Sequence, residues 1–170
     1  MIHRLVALGA LICLAMPARA QNSAPTPAPA PDRAQLAGCL RDNAASPAAC
    51  IGAVAVPCVR AASSNPRGAE AGCARREEAA WRERLGLALQ LAGRTLDAGQ
   101  RSRLAALQLT WESYVAQKCA LYGASQREAL QPGRQAGCEL REVAERAIEL
   151  AKSLPRPSSR RPQGPPQIIR

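Results

Sequence analysis

Residues 97–123 read DAGQRSRLAALQLTWESYVAQKCALYG. Asp97 is a favoured helix N-cap, and Gly123 suits the position just past a helix end. Between them Leu104, Leu107, Trp111, Val115, Cys119 and Tyr122 follow one another at steps of 3, 4, 4, 4 and 3. That spacing is one apolar stripe along one helical face. A helix of about 25 residues is about 37 Å long at 1.5 Å per residue. In a chain of 170 residues such a helix is a spine, and the fold class it predicts is all-α.

The flanking segments extend the pattern. Upstream, Glu70 to Gly93 is helical, with Trp81, Leu85, Ala88 and Ala92 at steps of 4, 3 and 4. Leu87, Leu89 and Leu91 widen its apolar face, and Arg94-Thr95-Leu96 is a connection short enough to make the two helices antiparallel neighbours. Downstream, Gln135 to Leu154 carries Ala136, Leu140, Val143, Ala147 and Leu150 on one face, flanked by Ile148 and Ala151. Arg141–Glu145 and Glu142–Arg146 are opposite charges at i,i+4 on its wet face. Ala124 to Arg134 reads as a loop, with Ser125 and Glu128 as a capping box and Pro132-Gly133 as a turn. In front, Asp32 caps a short helix through Leu40, the run between Cys50 and Cys58 reads as helical, and Ala61 to Ala69 as a loop. The expected architecture is a small helical bundle built on a long antiparallel helix pair.

Composition agrees with helices. Phe is absent, and the chain has only two Trp and two Tyr. A core of Ala and Leu suits close-packed helices better than a sandwich or barrel. The only histidine is His3, which removes His-based triads, His general bases and His metal ligands from the rest of the chain. No residue pattern implies a cofactor or a metal.

Residues 1–20 have the form of an export signal: Arg4, an apolar run from Leu5 to Met16, then Ala18-Arg19-Ala20 as a small-x-small cleavage site. The run is too short to span a bilayer, and no later segment is long and apolar enough. The expectation is cleavage after Ala20, a periplasmic or secreted chain and no transmembrane segment. Residues 21–32 are a Pro/Ala-rich linker and 154–170 a Pro/Arg-rich tail, both with compositions that bury no core. The folded domain is then 33–153.

Cleavage leaves Cys39, Cys50, Cys58, Cys73, Cys119 and Cys138. An even count in an exported chain reads as three disulfides. No C-x-x-C pair is present, so metal and redox-active alternatives are weak. Six cysteines allow 15 pairings. Cys119 and Cys138 lie at one end of the two downstream helices, and Cys58 and Cys73 bracket a loop. That placement favours Cys119–Cys138 and Cys58–Cys73, with Cys39–Cys50 by default.

Removing Arg4 and Arg19 takes the net charge from +10 to +8, and residues 33–152 carry 17 basic and 12 acidic side chains. Such a chain is attracted to anionic surfaces. Basic residues without interleaved aromatics or a recognised motif do not point to nucleic acid. A basic envelope-associated protein tethered to anionic polymers or lipid is therefore one functional class.

A second class comes from a resemblance. Cys50-Ile51-Gly52, then Cys73-x-x-x-Glu77-x-x-x-Trp81-x-x-x-Leu85, then Gln108-x-x-Trp111-x-x-Tyr114-x4-Cys119 and Cys138 resemble the LprI-like lysozyme-inhibitor family of small exported helical domains. The resemblance spans about residues 39–150. It implies a non-catalytic interaction protein whose partner is lysozyme or another envelope protein. Trp81, Leu85, Gln108, Trp111 and Tyr114 are then its core motif. Arg67, on the disulfide-bracketed loop, is the first contact candidate, and Arg75 and Arg76 form a basic helix end beside it. Glu77 and Glu83 read as solvated helix carboxylates, and Ser63-Ser64 as loop rather than nucleophile.

Overall fold

The computed structural model describes residues 27–153. The signal at 1–20, most of the linker and the tail at 154–170 lie outside the described residues. Among those described there are five α-helices and no strand: α1 (Ala30–Asp42), α2 (Ala55–Ala61), α3 (Pro66–Thr95), α4 (Ala98–Ala124) and α5 (Gln131–Ser153). Short 3₁₀ turns at Pro47–Cys50 and Glu128–Leu130 precede α2 and α5. None of these helices is long and apolar enough to cross a membrane. The bundle is all-α, as the periodicity implies, and is held by three disulfides, as the cysteine count implies.

The last helix, α5, is the centre. It packs most extensively on α3 and next on α4, while α3 and α4 make almost no direct contact. Gly133 lies against Glu70, and Arg75 faces Glu139, so α5 runs parallel to α3. Gly123 lies against Gln135, and Lys118 bonds Glu142, so α5 runs antiparallel to α4. The two-residue link Leu96-Asp97 does reverse the chain. The arms it joins do not close on each other, because α5 fills the space between them. Ala136, Leu140, Val143, Ala144, Ala147 and Leu150 are all buried. This face is one residue wider than its apolar stripe predicts, as a helix wedged between two neighbours requires.

On α3 the stripe Trp81, Leu85, Ala88 and Ala92 is buried as read, but Leu87 and Leu91 are exposed. On α4 the buried positions are Gln108, Val115, Cys119 and Gly123. Leu107 and Tyr122, counted in the stripe, face outward, because the packed face is rotated by one position at each end. Asp97 does form the cap, in a capping box with Gln100. Gly123 does not end the helix. It lies inside α4, and a Cβ there would meet the Gln135 Cβ at 3.1 Å and the Gln131 carbonyl oxygen at 3.4 Å. A Gly123→Ala change gains about 1 kcal/mol of helix propensity but forces two helices apart, at about 1–3 kcal/mol. A lower thermal midpoint is the expected net result, measured by circular dichroism. A raised midpoint would mean that the crossing has room to spare.

Other boundaries also move. Helix α1 starts at Ala30, inside the segment read as linker, and Asp32 sits in its first turn instead of capping it. Helix α3 starts at Pro66, inside the segment read as loop, because Asn65 caps it. Helix α5 starts at Gln131, so Pro132-Gly133 is its first turn. Ser125 bonds the Tyr122 carbonyl oxygen instead of forming a capping box with Glu128. Glu142 pairs with Lys118 and Arg146 with Glu149, not with the i,i+4 partners read from the sequence.

The disulfides are Cys39–Cys50, Cys58–Cys73 and Cys119–Cys138, with Cα atoms 5.8, 5.6 and 5.5 Å apart. The first ties α1 to the turn before α2. The second closes the α2–α3 corner, and the third joins α4 to α5.

Candidate functional site

The α2–α3 corner follows from the run Ala62-Ser63-Ser64-Asn65-Pro66-Arg67-Gly68. The amide of Ala62 bonds the carbonyl oxygens of Cys58 and Val59, which ends α2. The amide of Asn65 then bonds the Ala62 carbonyl oxygen at 3.0 Å. The Asn65 side chain accepts from the Gly68 amide at 3.0 Å, and Pro66 occupies the first turn of α3. An asparagine cap followed by proline is a strong helix start, because both satisfy or remove donors that a helix end leaves unpaired. Cys58–Cys73 holds the two helices together across the turn.

This construction presents two guanidinium groups. Arg60 lies in the last turn of α2 and Arg67 in the first turn of α3, both exposed. Among the described residues neither pairs with a carboxylate, and Arg134 and Arg141 on α5 do not either. All four line one broad open groove over the start of α5. The positive end of the α3 dipole adds to their field. Lys118, on the far rim, is engaged: its hydrogen bond to Glu142, at 2.7 Å, raises its pKa against the opposing effect of desolvation. A raised lysine pKa means that the contribution of this pair is complete at neutral pH and fades only above the ordinary lysine range.

The other two contact candidates are occupied. Arg76 donates from Nε and Nη2 to the two carboxylate oxygens of buried Asp32, at 3.0 and 2.7 Å. That hydrogen bonding, with the Asp32 charge, raises the Arg76 pKa further above its ordinary value. Arg75 is exposed and 3.9 Å from Glu139. Of the residues read as core motif, Trp81, Leu85 and Gln108 are buried, and Trp111 packs against the core with the Arg146 guanidinium 6.0 Å from its ring centroid. Tyr114 is a correction: it is 54% exposed on the outer face of α4.

Behind the corner lies an anchor that the sequence reading missed. Glu77, read as a solvated carboxylate, is 0% exposed. Its Oε1 accepts from the Gly52 amide at 2.7 Å and the Trp81 Nε1 at 3.1 Å. Its Oε2 accepts from the amides of Val54 and Ala55 at 2.9 and 2.7 Å. Helix α2 has no cap of its own, so a side chain of α3 caps it across the interface. The sharp turn that aims these amides needs Gly52, at φ +99°, a left-handed conformation that side chains with a Cβ disfavour. Glu77 and the Cys58–Cys73 bridge together fix α2, and so Arg60, relative to α3. Glu83, also read as solvated, is partly buried and accepts from the Ala28 amide at 2.9 Å.

Residues 58–150 match the family model described as lysozyme inhibitor LprI. The match begins at Cys58 and covers the corner, α3, α4, most of α5 and two of the three disulfides. No curated protein and no solved structure matches the chain.

Proposed function

The chain belongs to the LprI family of lysozyme inhibitors, and from that premise we propose that it is an exported, non-catalytic inhibitor of lysozyme that acts through the α2–α3 corner. The signal at residues 1–20 would deliver it, cleaved after Ala20, to the periplasm or the exterior. Three disulfides are in keeping with that compartment. The observation that carries the reading is Arg67: an unpaired guanidinium on the first turn of a capped, disulfide-closed helix start, inside the matched segment.

The chemistry is direct. Retaining glycosidases hold two carboxyl groups about 5 Å apart in an open cleft. A guanidinium donates two parallel hydrogen bonds to a carboxylate. Arg67, with Arg60 beside it across the corner, offers that match on a scaffold that loses little freedom on binding. The positive charge of the chain opposes approach to a basic lysozyme at long range, so affinity must come from contact.

The test is inhibition of lysozyme by the protein from Gln21 onward, at low and physiological salt. Arg67→Ala is expected to raise the inhibition constant about 10–100-fold, the effect of losing a central arginine contact. The fold should be unchanged, because Arg67 is exposed. No inhibition at micromolar protein sinks the reading. Full inhibition by the Arg60→Ala/Arg67→Ala pair would move the contact away from the corner.

A further inference from the structure

Helix α4 exposes an apolar stripe that neither the core nor the corner uses. Leu107, Tyr114 and Leu121 are 61, 54 and 67% exposed. They recur every seven residues, so they drift by only about 20° per step around the helix. Trp111 and Lys118 fall between them at the alternating 3 and 4 spacing of a helix–helix seam. Lys118 lies 5.5 Å from the Tyr114 ring centroid and 6.0 Å from that of Tyr122, and its charge is already met by Glu142.

We propose that this stripe pairs with the same stripe of a second copy, as an antiparallel two-fold helix pair centred on Tyr114. The stripe is symmetric about that residue. Leu107 and Leu121 stand equally far from it, so an antiparallel pairing sets Leu107 against Leu121 of the second copy, and Tyr114 against Tyr114 of the second copy. A two-fold interface requires this self-complementarity. In the same register Lys118 faces Thr110 of the second copy, so like charges do not meet in the seam. A half-exposed aromatic offers roughly 100 Å², so Leu107, Tyr114, Leu121 and Tyr122 together offer roughly 400 Å² per copy. A standard stable interface buries about 800 Å² per partner. The pairing is therefore a weak, reversible dimer. It sets the two α2–α3 corners at opposite ends of the pair, each next to one end of the seam, since Lys118 and Tyr122 also line the groove that holds Arg60 and Arg67.

The test is sedimentation equilibrium of the chain from Gln21 to Arg170 over about 1–500 µM, a range that brackets a weak dimer. The expected result is a mass that doubles with concentration. Leu107→Glu alone and Leu121→Lys alone should each raise the dissociation constant at least tenfold. Both sites are solvent-facing, so thermal melts should not change. The double variant should recover to within a few-fold of the parent, since the introduced carboxylate then meets the introduced ammonium across the two-fold axis. A chain that stays monomeric throughout overturns the proposal. So does a double variant no better than the singles, which would place another register or partner on the stripe. A monomer that dimerises only when residues 154–170 are removed overturns it too, because the tail would then be the occupant.

Discussion

Glu77→Ala should lower the unfolding free energy by about 3–5 kcal/mol, at the severe end for a single substitution. The change leaves three backbone amides and the Trp81 indole N–H without acceptors. A buried donor stripped of its partner costs about 1–3 kcal/mol, and some relief comes from water entering the space. The sharper variant is Glu77→Gln, which keeps the shape. Each carboxylate oxygen takes two donors, and an amide has only one oxygen, so two donors face an NH₂ group instead. About 2–4 kcal/mol is expected there, from the same mismatch of buried groups. Urea unfolding followed by Trp fluorescence measures both. If Glu77→Gln unfolds at the denaturant concentration of the parent, the cradle contributes little and the burial of Glu77 is incidental.

Removing the Cys119–Cys138 bridge, by serine at both positions, is expected to cost about 2–5 kcal/mol. The reason is the position of α4. It has one packed neighbour, α5, and its outer face carries Leu107, Leu121 and Tyr122 in solvent. Few other contacts retain it. The loss should therefore be local, with α4 amides exchanging hydrogen early while those of α3 and α5 stay protected. Removing Cys39–Cys50 should cost less. It closes a span of 11 residues against 19, and α1 is also held by the Asp32–Arg76 pair and by buried Leu36. Thermal melts of the two double variants, with exchange measured by mass spectrometry, check the order. A lower melt for the Cys39/Cys50 variant would reverse it.

What the sequence made legible were the features that repeat locally. Trp81, Leu85, Ala88 and Ala92 announce the buried face of α3 because packing at 3.6 residues per turn demands apolar side chains there. Glu77 escaped because its partners are backbone amides 22–25 residues away, and amides leave no mark in a side-chain pattern. One signal was present: Glu77 lies on the line Cys73, Trp81, Leu85, and a carboxylate in an otherwise apolar row is a buried group with work to do. On α4 the misreading came from ranking by hydrophobicity. Leu107 outranks Gln108, and Tyr122 outranks Gly123, yet the packed residues are Gln108, whose amide bonds Glu112, and Gly123, whose lack of a side chain lets α5 approach. At the corner, Asn65-Pro66 within a Ser/Asn/Pro/Gly cluster looked like loop. The same two residues are also the start of a helix, and Arg67 is better fixed for it.

The central place of α5 also has a consequence for timing. The apolar face of α3 finds its main partner about 60 residues further along the chain, in α5, the last of the described helices. Until residues near 140–150 exist, Trp81 and Leu85 have nothing comparable to pack on, and Cys119 has no mate. A chain emerging from the ribosome can therefore close only the α1–α3 part early, through Cys39–Cys50, Cys58–Cys73 and the Glu77 cradle, while the face of α3 that meets α5 stays open. Its last segment then brings Cys138 to Cys119 and completes the core in a single late step. The order in which the helices are written along the chain delays closure of the main core until α5 is present.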